Sequence, residues 1–572
     1  MSGRVVRGLA LLVVVLLASG CAAIPESSDP KAVEWVDEGN TTTPINPPPS
    51  GTDPLALVRS FVDSTAAPAS NHKAARLHLS TGMERNWQPE PGMLVVDNVD
   101  TIPAPQQRDT PRGVQLVSLQ ADKVGRLLPD QSFQPETGEY RAQLRVEQRP
   151  DGEWRITEPP PGLVVSENSF SATYRQVPVY FLDHDSGGVV PDLRYVVSQP
   201  VSTLPGRVID LLTSGPSERY RGAVNTAIPE GVHPKTNTSE ATDGALEVNL
   251  SELGEVTPQT RKLVAAQVVY SLQSVSSARV RLKEEGMPLL PDAQDLRPTD
   301  VAEFEGTDGA HPDAPALAVV DERLVYLDRR ANPVPGPAGS GEYDVLRAGL
   351  APGGDHLSAV TRVPDGVELR VGGFGSTLSP LGLRGNNMSK PSWRGDSEVW
   401  TAVDGRDVVR VRSDGESWSA DRVDVRALTG GEPIADLRVS PDGTRVAAVV
   451  GGKVAVSGID DSDGRAVLRE PNVLSGPNDT SVTGVEWRGS DSLVVLTDSN
   501  AAPVFDVSAD GYQWTPYTSA NLGQPLSVVT VDPGRRVIVA DRSGLWEARD
   551  TNDVWGLLQV PIGGGSIPFF PG

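Results

Sequence analysis

The chain has 572 residues, and its 75 acidic against 51 basic side chains leave a formal charge of −24. That sign repels phosphate backbones and leaves no basic patch to hold the protein flat on anionic lipid, which excludes nucleic acid as a partner. The length predicts several domains. The single cysteine, Cys21, excludes internal disulfides and thiolate metal sites.

Residues 1–20 have the three parts of a secretory signal peptide. Arg4 and Arg7 are followed by an apolar run from Leu9 to Ala18 and by the small pair Ser19-Gly20. The run is shorter than the roughly 20 apolar residues that span a bilayer. A plain leader would leave Cys21 as a free thiol outside the cell, which asks for an explanation. "ASGC" resembles the relaxed form of the bacterial lipobox, with Ala18 where the commonest form has Leu. Cys21 is therefore expected to be the lipidation site, the alternative being an incidental cysteine. Residues 21–53, rich in Pro, Ser and Thr, read as a tether. About 30 extended residues reach on the order of 100 Å.

From Pro54 to residue 170 the pattern predicts an α+β domain. Leu55, Val58, Phe61 and Val62 recur at helical spacing behind Asp53 as N-cap and Pro54 at the first helical position. A second short helix is expected around Lys73–Leu79. The segments "MLVVDNV", "GVQLVSLQ", "YRAQLRVEQ" and "EWRITEPP" read as strands. Helices followed by antiparallel strands resemble the NTF2-like cone. Residues 171–292 carry "VPVYFLD", "LLTSGP", "AIPEGV", "VNLS", "AAQVVYSL" and a last strand ending in "EG". This order resembles the GerMN domain, which implies binding or assembly at a cell surface. Residues 293–314 are acidic and polar and read as a loose connector.

Residues 315–572 repeat. An apolar anchor follows each Gly/Asp/Pro turn, at Leu317, Leu357, Val399, Val446, Leu493 and Val537, with spacings of 40, 42, 47, 47 and 44. Four strands of about 5–6 residues with short turns fill that length, which is a β-propeller blade. Six blades are expected, with five or seven as alternatives. The first repeat lacks a strand before Leu317. The tail "SIPFFPG" is faintly similar to "SVVTVDPG" before Val537, so the tail is expected to supply that strand and close the ring, the alternative being a frayed tail.

Little in the sequence promises chemistry. The histidines at 72, 78, 184, 233, 311 and 356 are scattered, and no GxSxG elbow or phosphate loop is present. His184 between Asp183 and Asp185 reads as a solvated turn rather than a metal ligand or base. "DDSDG" at 460–464 puts Ile459 where a calcium loop needs its first carboxylate. Trp393, Trp400, Trp487 and Trp514 read as packing between blades, with a sugar platform as the alternative. No catalytic residue, metal ligand or cofactor is expected.

Cysteine, tether, α+β domain, GerMN-like domain and terminal propeller, in that order, resemble the actinobacterial LpqB lipoprotein family. The resemblance implies a non-enzymatic accessory role on the outer face of the plasma membrane. It implies contact with the extracytoplasmic domain of the histidine kinase MtrB, which modulates the MtrAB two-component system and so cell division and envelope homeostasis. No motif carries partner-contact residues over. The alternatives are an anchored envelope enzyme, such as a propeller glycosidase or peptidase, and a ligand-capturing lipoprotein.

Overall fold

The computed structural model describes residues 47–105, 111–184, 187–306, 314–462, 464–477, 480–523 and 526–572. Cys21, nearly all of the tether, Asp185, His311 and Asp463 lie outside them. Among the described residues no helix is long and apolar enough to cross a membrane.

The N-terminal module starts where expected. Asp53 Oδ1 accepts from the amides of Leu55 and Ala56 at 3.0 and 3.1 Å, and caps α1 (Pro54–Ser64). Helices α2 (Ala69–Arg76) and α3 (Thr81–Asn86) follow. The right-handed part of the second helix begins at the expected Lys73, and it ends at Arg76 rather than Leu79. Its first turn is left-handed at Ser70, Asn71 and His72, a reversal that side-chain periodicity does not reveal. Strands β1 (Glu90–Pro103), β2 (Val114–Leu127), β3 (Phe133–Pro135), β4 (Glu139–Gln148), β5 (Trp154–Glu158) and β6 (Gly162–Ser166) form one sheet in the order β5-β4-β2-β1-β6, with β3 on β2. Only the β1–β6 pair is parallel. Leu57, Val58, Phe61 and Val62 of α1 are buried in the core shared with this sheet. A short helix, α4 (Glu167–Thr173), leads out of it.

The second module pairs β7 (Tyr174–Leu182) with β8 (Val189–Val197) along their whole length. Helix α5 (Leu204–Thr213), strands β9 (Ser239–Glu240) and β10 (Leu246–Leu250), helix α6 (Pro258–Gln273) and strands β11 (Val280–Glu284) and β12 (Met287–Pro288) complete it. Helix α6 is the crossover between the parallel strands β10 and β11. Thr257 caps it, accepting from the Thr260 amide at 3.1 Å. The loose connector expected over 293–314 is corrected in its first part. Leu296, Val301 and Phe304 are buried in this module's core, and Asp295 pairs with Arg279 and Arg281. Their three apolar side chains outweigh the acidic composition around them.

The C-terminal module is a ring of antiparallel sheets. Five have four strands, and one joins Ile567–Phe569, Leu317–Val320 and Arg323–Tyr326. Numbering blades from that sheet, the inner strands are Ile567–Phe569, Val345–Leu350, Ser392–Arg394, Ile434–Val439, Val482–Trp487 and Val528–Val531, each packed beside the next around the circle. The six repeat anchors stand on the second strand of each blade, none more than 1% exposed. Their partners across the ladder are Phe569, Leu350, Trp393, Val439, Trp487 and Val531. The tail therefore does supply the missing strand: Leu317 opposes Phe569 and Val319 opposes Ile567. A bulge recurs at one register in blades 2, 4 and 5, between Val345/Arg347, Ile434/Asp436 and Val482/Gly484. It bends each inner strand where the ring curves.

Candidate functional site

Two features stand out: a joint where all three modules meet, and a charged cluster on the ring axis. The joint forms on the face where first-to-second and third-to-fourth strand turns emerge, at blades 4 and 5. In blade 4 the "SPDG" turn is set by Asp442, which accepts from Ser440 Oγ and Thr444 Oγ1, each at 2.6 Å. The same carboxylate pairs with Arg445, and both side chains are 1% exposed. Arg445 in turn donates to the Pro191 carbonyl of β8 at 3.2 Å and lies 5.3 Å from the Tyr220 ring of the second module. Gly458 allows the close approach of that module: a Cβ there would stand 2.8 Å from Ala223 Cβ.

In blade 5 the turn between Val504–Ser508 and Trp514–Pro516 reaches into the crease between the first two modules. Asp510 Oδ2 accepts from Tyr195 Oη of β8 at 2.8 Å and from Gln176 Nε2 of β7 at 3.1 Å. Its Oδ1 accepts from Ser508 Oγ and the Tyr512 amide, which fixes the turn. Tyr512 sits 4.9 Å from Phe133 of β3 and 5.5 Å from both Phe170 of α4 and Tyr195, close to edge-on in each case. One aromatic cluster therefore takes a ring from every module. Burial pushes the Tyr195 hydroxyl well above its ordinary range, with the Asp510 charge acting the same way, so it stays a donor.

On the axis, Lys390 Nζ of blade 3 meets Glu486 of blade 5 at 2.7 Å, passing over blade 4. Arg438 of blade 4 also reaches Glu486, at 3.2 Å, and Asp436 at 2.6 Å. Burial pushes the Glu486 carboxyl up, and the Lys390 and Arg438 charges more than offset it, leaving it below its ordinary range. Glu486→Gln is expected to cost about 3 kcal/mol, because it removes the carboxylate bonded to buried Lys390 and leaves Asp436, already paired with Arg438, as the nearby negative charge. Lys390→Met with Glu486→Met should recover most of that loss in a urea titration. Recovery no better than the single change would mean that Lys390 does not depend on Glu486.

The residues singled out in the sequence have structural partners. Asn225 Nδ2 donates to His184 Nδ1 at 2.7 Å, and His184 Nε2 donates to the Gly222 carbonyl at 3.0 Å. Asp461 of the "DDSDG" segment pairs with Arg394 at 2.6 Å. Trp393 and Trp487 are buried and donate to carbonyls of the preceding blade's inner strand, Gly349 at 2.9 Å and Arg438 at 3.2 Å. Trp400 is fully buried, so three of the rings are core, while the half-buried Trp514 packs against the core on Phe505. Among the described residues no group of three His, Cys, Asp or Glu side chains is placed to hold a metal.

Asp510, Tyr512 and the axial charges went unnoticed in the sequence. "SADGYQ" has the same Asp-Gly turn chemistry as "SPDG" and "SDGES", and only the tyrosine after its glycine sets it apart.

Comparison with known proteins places these modules. The family model "Lipoprotein LpqB, N-terminal domain" matches residues 47–171, "Sporulation and spore germination" matches 178–290, and "Lipoprotein LpqB beta-propeller domain" matches 322–571. Proteins named lipoprotein LpqB are similar over their whole length. The Nocardia farcinica relative is 30% identical, covering 100% of this chain and 99% of its own. The Mycolicibacterium smegmatis relative is 32% identical, covering 99% and 100%. The Mycobacterium tuberculosis relative is 29% identical, covering 100% of both. Sharing all three modules with these proteins at that identity and coverage, the chain belongs to the LpqB lipoprotein family.

Proposed function

We propose that the chain is held by acyl groups on Cys21 to the outer face of the plasma membrane. There it acts as a non-catalytic accessory to the MtrAB two-component system, through contact with the external domain of the MtrB kinase. The observation that carries the reading is the full-length match to lipoproteins in a chain whose only cysteine ends an apolar leader. Each buried methylene contributes about 0.8 kcal/mol, so two chains on one residue anchor firmly where one would not. Kinase and lipoprotein then share one membrane plane, and the raised effective concentration lets a weak contact count. A single body of three modules suits this role, since force or strain at one module reaches the others.

Membrane cross-linking followed by partner identification tests the reading. The kinase is expected among the products, and Cys21→Ala is expected to move the protein to the soluble fraction and cut the cross-link about tenfold or more. Cross-links without the kinase, together with turnover of cell-wall glycan by the purified protein, would replace it with an anchored enzyme.

A further inference from the structure

The N-terminal module contains an arrangement that neither the family match nor the partner reading uses. Two imidazoles fasten α2 to α1. His78 is 3% exposed, donates Nδ1–H to the Ala74 carbonyl at 3.0 Å, and takes the Ser60 hydroxyl of α1 on Nε2 at 2.9 Å. Its ring lies edge-on to Phe61. His72, half-buried, donates Nδ1–H to the Thr65 carbonyl just beyond α1 at 3.2 Å and meets the Trp87 ring edge-on at 6.3 Å. Each ring sets Nδ1 on a carbonyl, and burial of the two rings disfavours a charge on either.

The charges that act on the two rings are those of arginines. From α2, Arg76 stands beside His72 and spends its guanidinium on the carbonyls of Asn71, Glu84 and Trp87, at 2.6–2.8 Å. From β5, Arg155 acts on His78. Glu90 lines the open cavity of ≈ 390 Å³ that His72, Arg76 and Trp87 also line. Burial pulls both imidazoles below their ordinary 6.5, the backbone hydrogen bonds acting against it and the two arginines with it. The backbone at the start of α2 is strained as well, since Ser70, Asn71 and His72 are left-handed with φ of 52°, 58° and 55°. Such residues persist only while their surroundings hold them, and they gather at switches and clamps.

We propose that residues 66–88, which carry α2, α3 and the loops around them, form an acid-released latch, held down by neutral His72 and His78 and freed when they take up protons. The sign follows from linkage. The released state binds protons at the ordinary pKa and the closed state resists them, so closure is complete above that value and weakens as pH falls below it. Release opens the cavity wall around Trp87, which lets the tether end of the molecule respond to the acidity of its surroundings. The proposal stands apart from the partner reading and survives its failure.

Hydrogen exchange on the full-length protein, corrected for intrinsic rates, tests it at about pH 7.5 and about pH 5. Exchange in 66–88 is expected to rise at least tenfold at the lower pH while β1, β2 and β4 stay protected. His72→Gln with His78→Gln is expected to abolish that difference. Imidazole NMR titration of the unaltered protein gives a second reading should the variant fold poorly, with both rings expected to titrate below 6.5. Unchanged protection of 66–88, loss spread over the whole module, or titration of both rings at or above the ordinary value would each overturn the latch.

Discussion

Deleting Ser566–Gly572 will unfold the propeller at ambient temperature or bring its melting point down by tens of degrees. The deleted strand is the inner strand of blade 1, paired with Leu317–Val319. Phe569 is fully buried and Phe570 nearly so. Truncating a buried phenylalanine costs about 3–5 kcal/mol, and domains are stable by about 5–15 kcal/mol in total. Phe569→Ala alone should therefore lower the melting point by about 6–20 °C, at 2–4 °C per kcal/mol for a domain of this size. The full deletion adds a second loss. It strips one edge of Leu317–Val320 and opens a closed ring, exposing strand edges that closure hides. Removing only Gly572 forfeits one hydrogen bond, from its amide to the Leu350 carbonyl at 2.9 Å, worth about 1 kcal/mol. Thermal unfolding of the three variants should rank them in that order. Equal melting points for the deletion and the intact chain would mean that blade 1 is stable without its inner strand.

That closure is legible in the sequence because the repeat is strict where it matters. The anchors Leu317 to Val537 mark one register in every blade, and a missing partner for the first anchor is visible as a gap. The helix starts at Pro54 and Pro258 were legible for a similar reason: an Asp or Thr cap before proline is local chemistry. Strand β8 was not. Its Asp192 and Arg194 interrupt an apolar run, and only the fold brings them together, buried and bonded at 2.7 Å. The axial cluster was hidden likewise, because Lys390 and Glu486 are 96 residues apart and each looks like a surface charge. Left-handed Ser70–His72 has only a weak sequence signal, the tolerance of Asn71 and His72 for positive φ, because none of the three is glycine. Sequence reveals periodic and local rules; paired charges and strained turns depend on what the fold sets beside them.

The joint is where coupling between modules can be broken without dissolving any of them. Tyr512→Ala removes a ring that touches Phe133, Phe170 and Tyr195. Aromatic pairs contribute about 0.5–1.5 kcal/mol each beyond area, so the loss is about 2–4 kcal/mol. Asp510→Ala leaves the buried Tyr195 hydroxyl without its acceptor, at about 1–3 kcal/mol. The two act within one turn and will not add simply. Calorimetry of the intact chain is expected to give one transition for the joined modules. The double variant should split it, with the propeller melting separately from the two N-terminal modules. Asp414→Ala is the control. It sits in blade 3's matching turn, accepts from the Glu416 and Ser417 amides, and is exposed. Losing the turn chemistry alone should shift the transition slightly and leave it single. A double variant that also melts in one step, at a merely lower temperature, would place the coupling elsewhere, with Arg445 and its hold on Pro191 and Tyr220 next in line. A split transition would show that the joint contributes to the stability of the chain by coupling its modules.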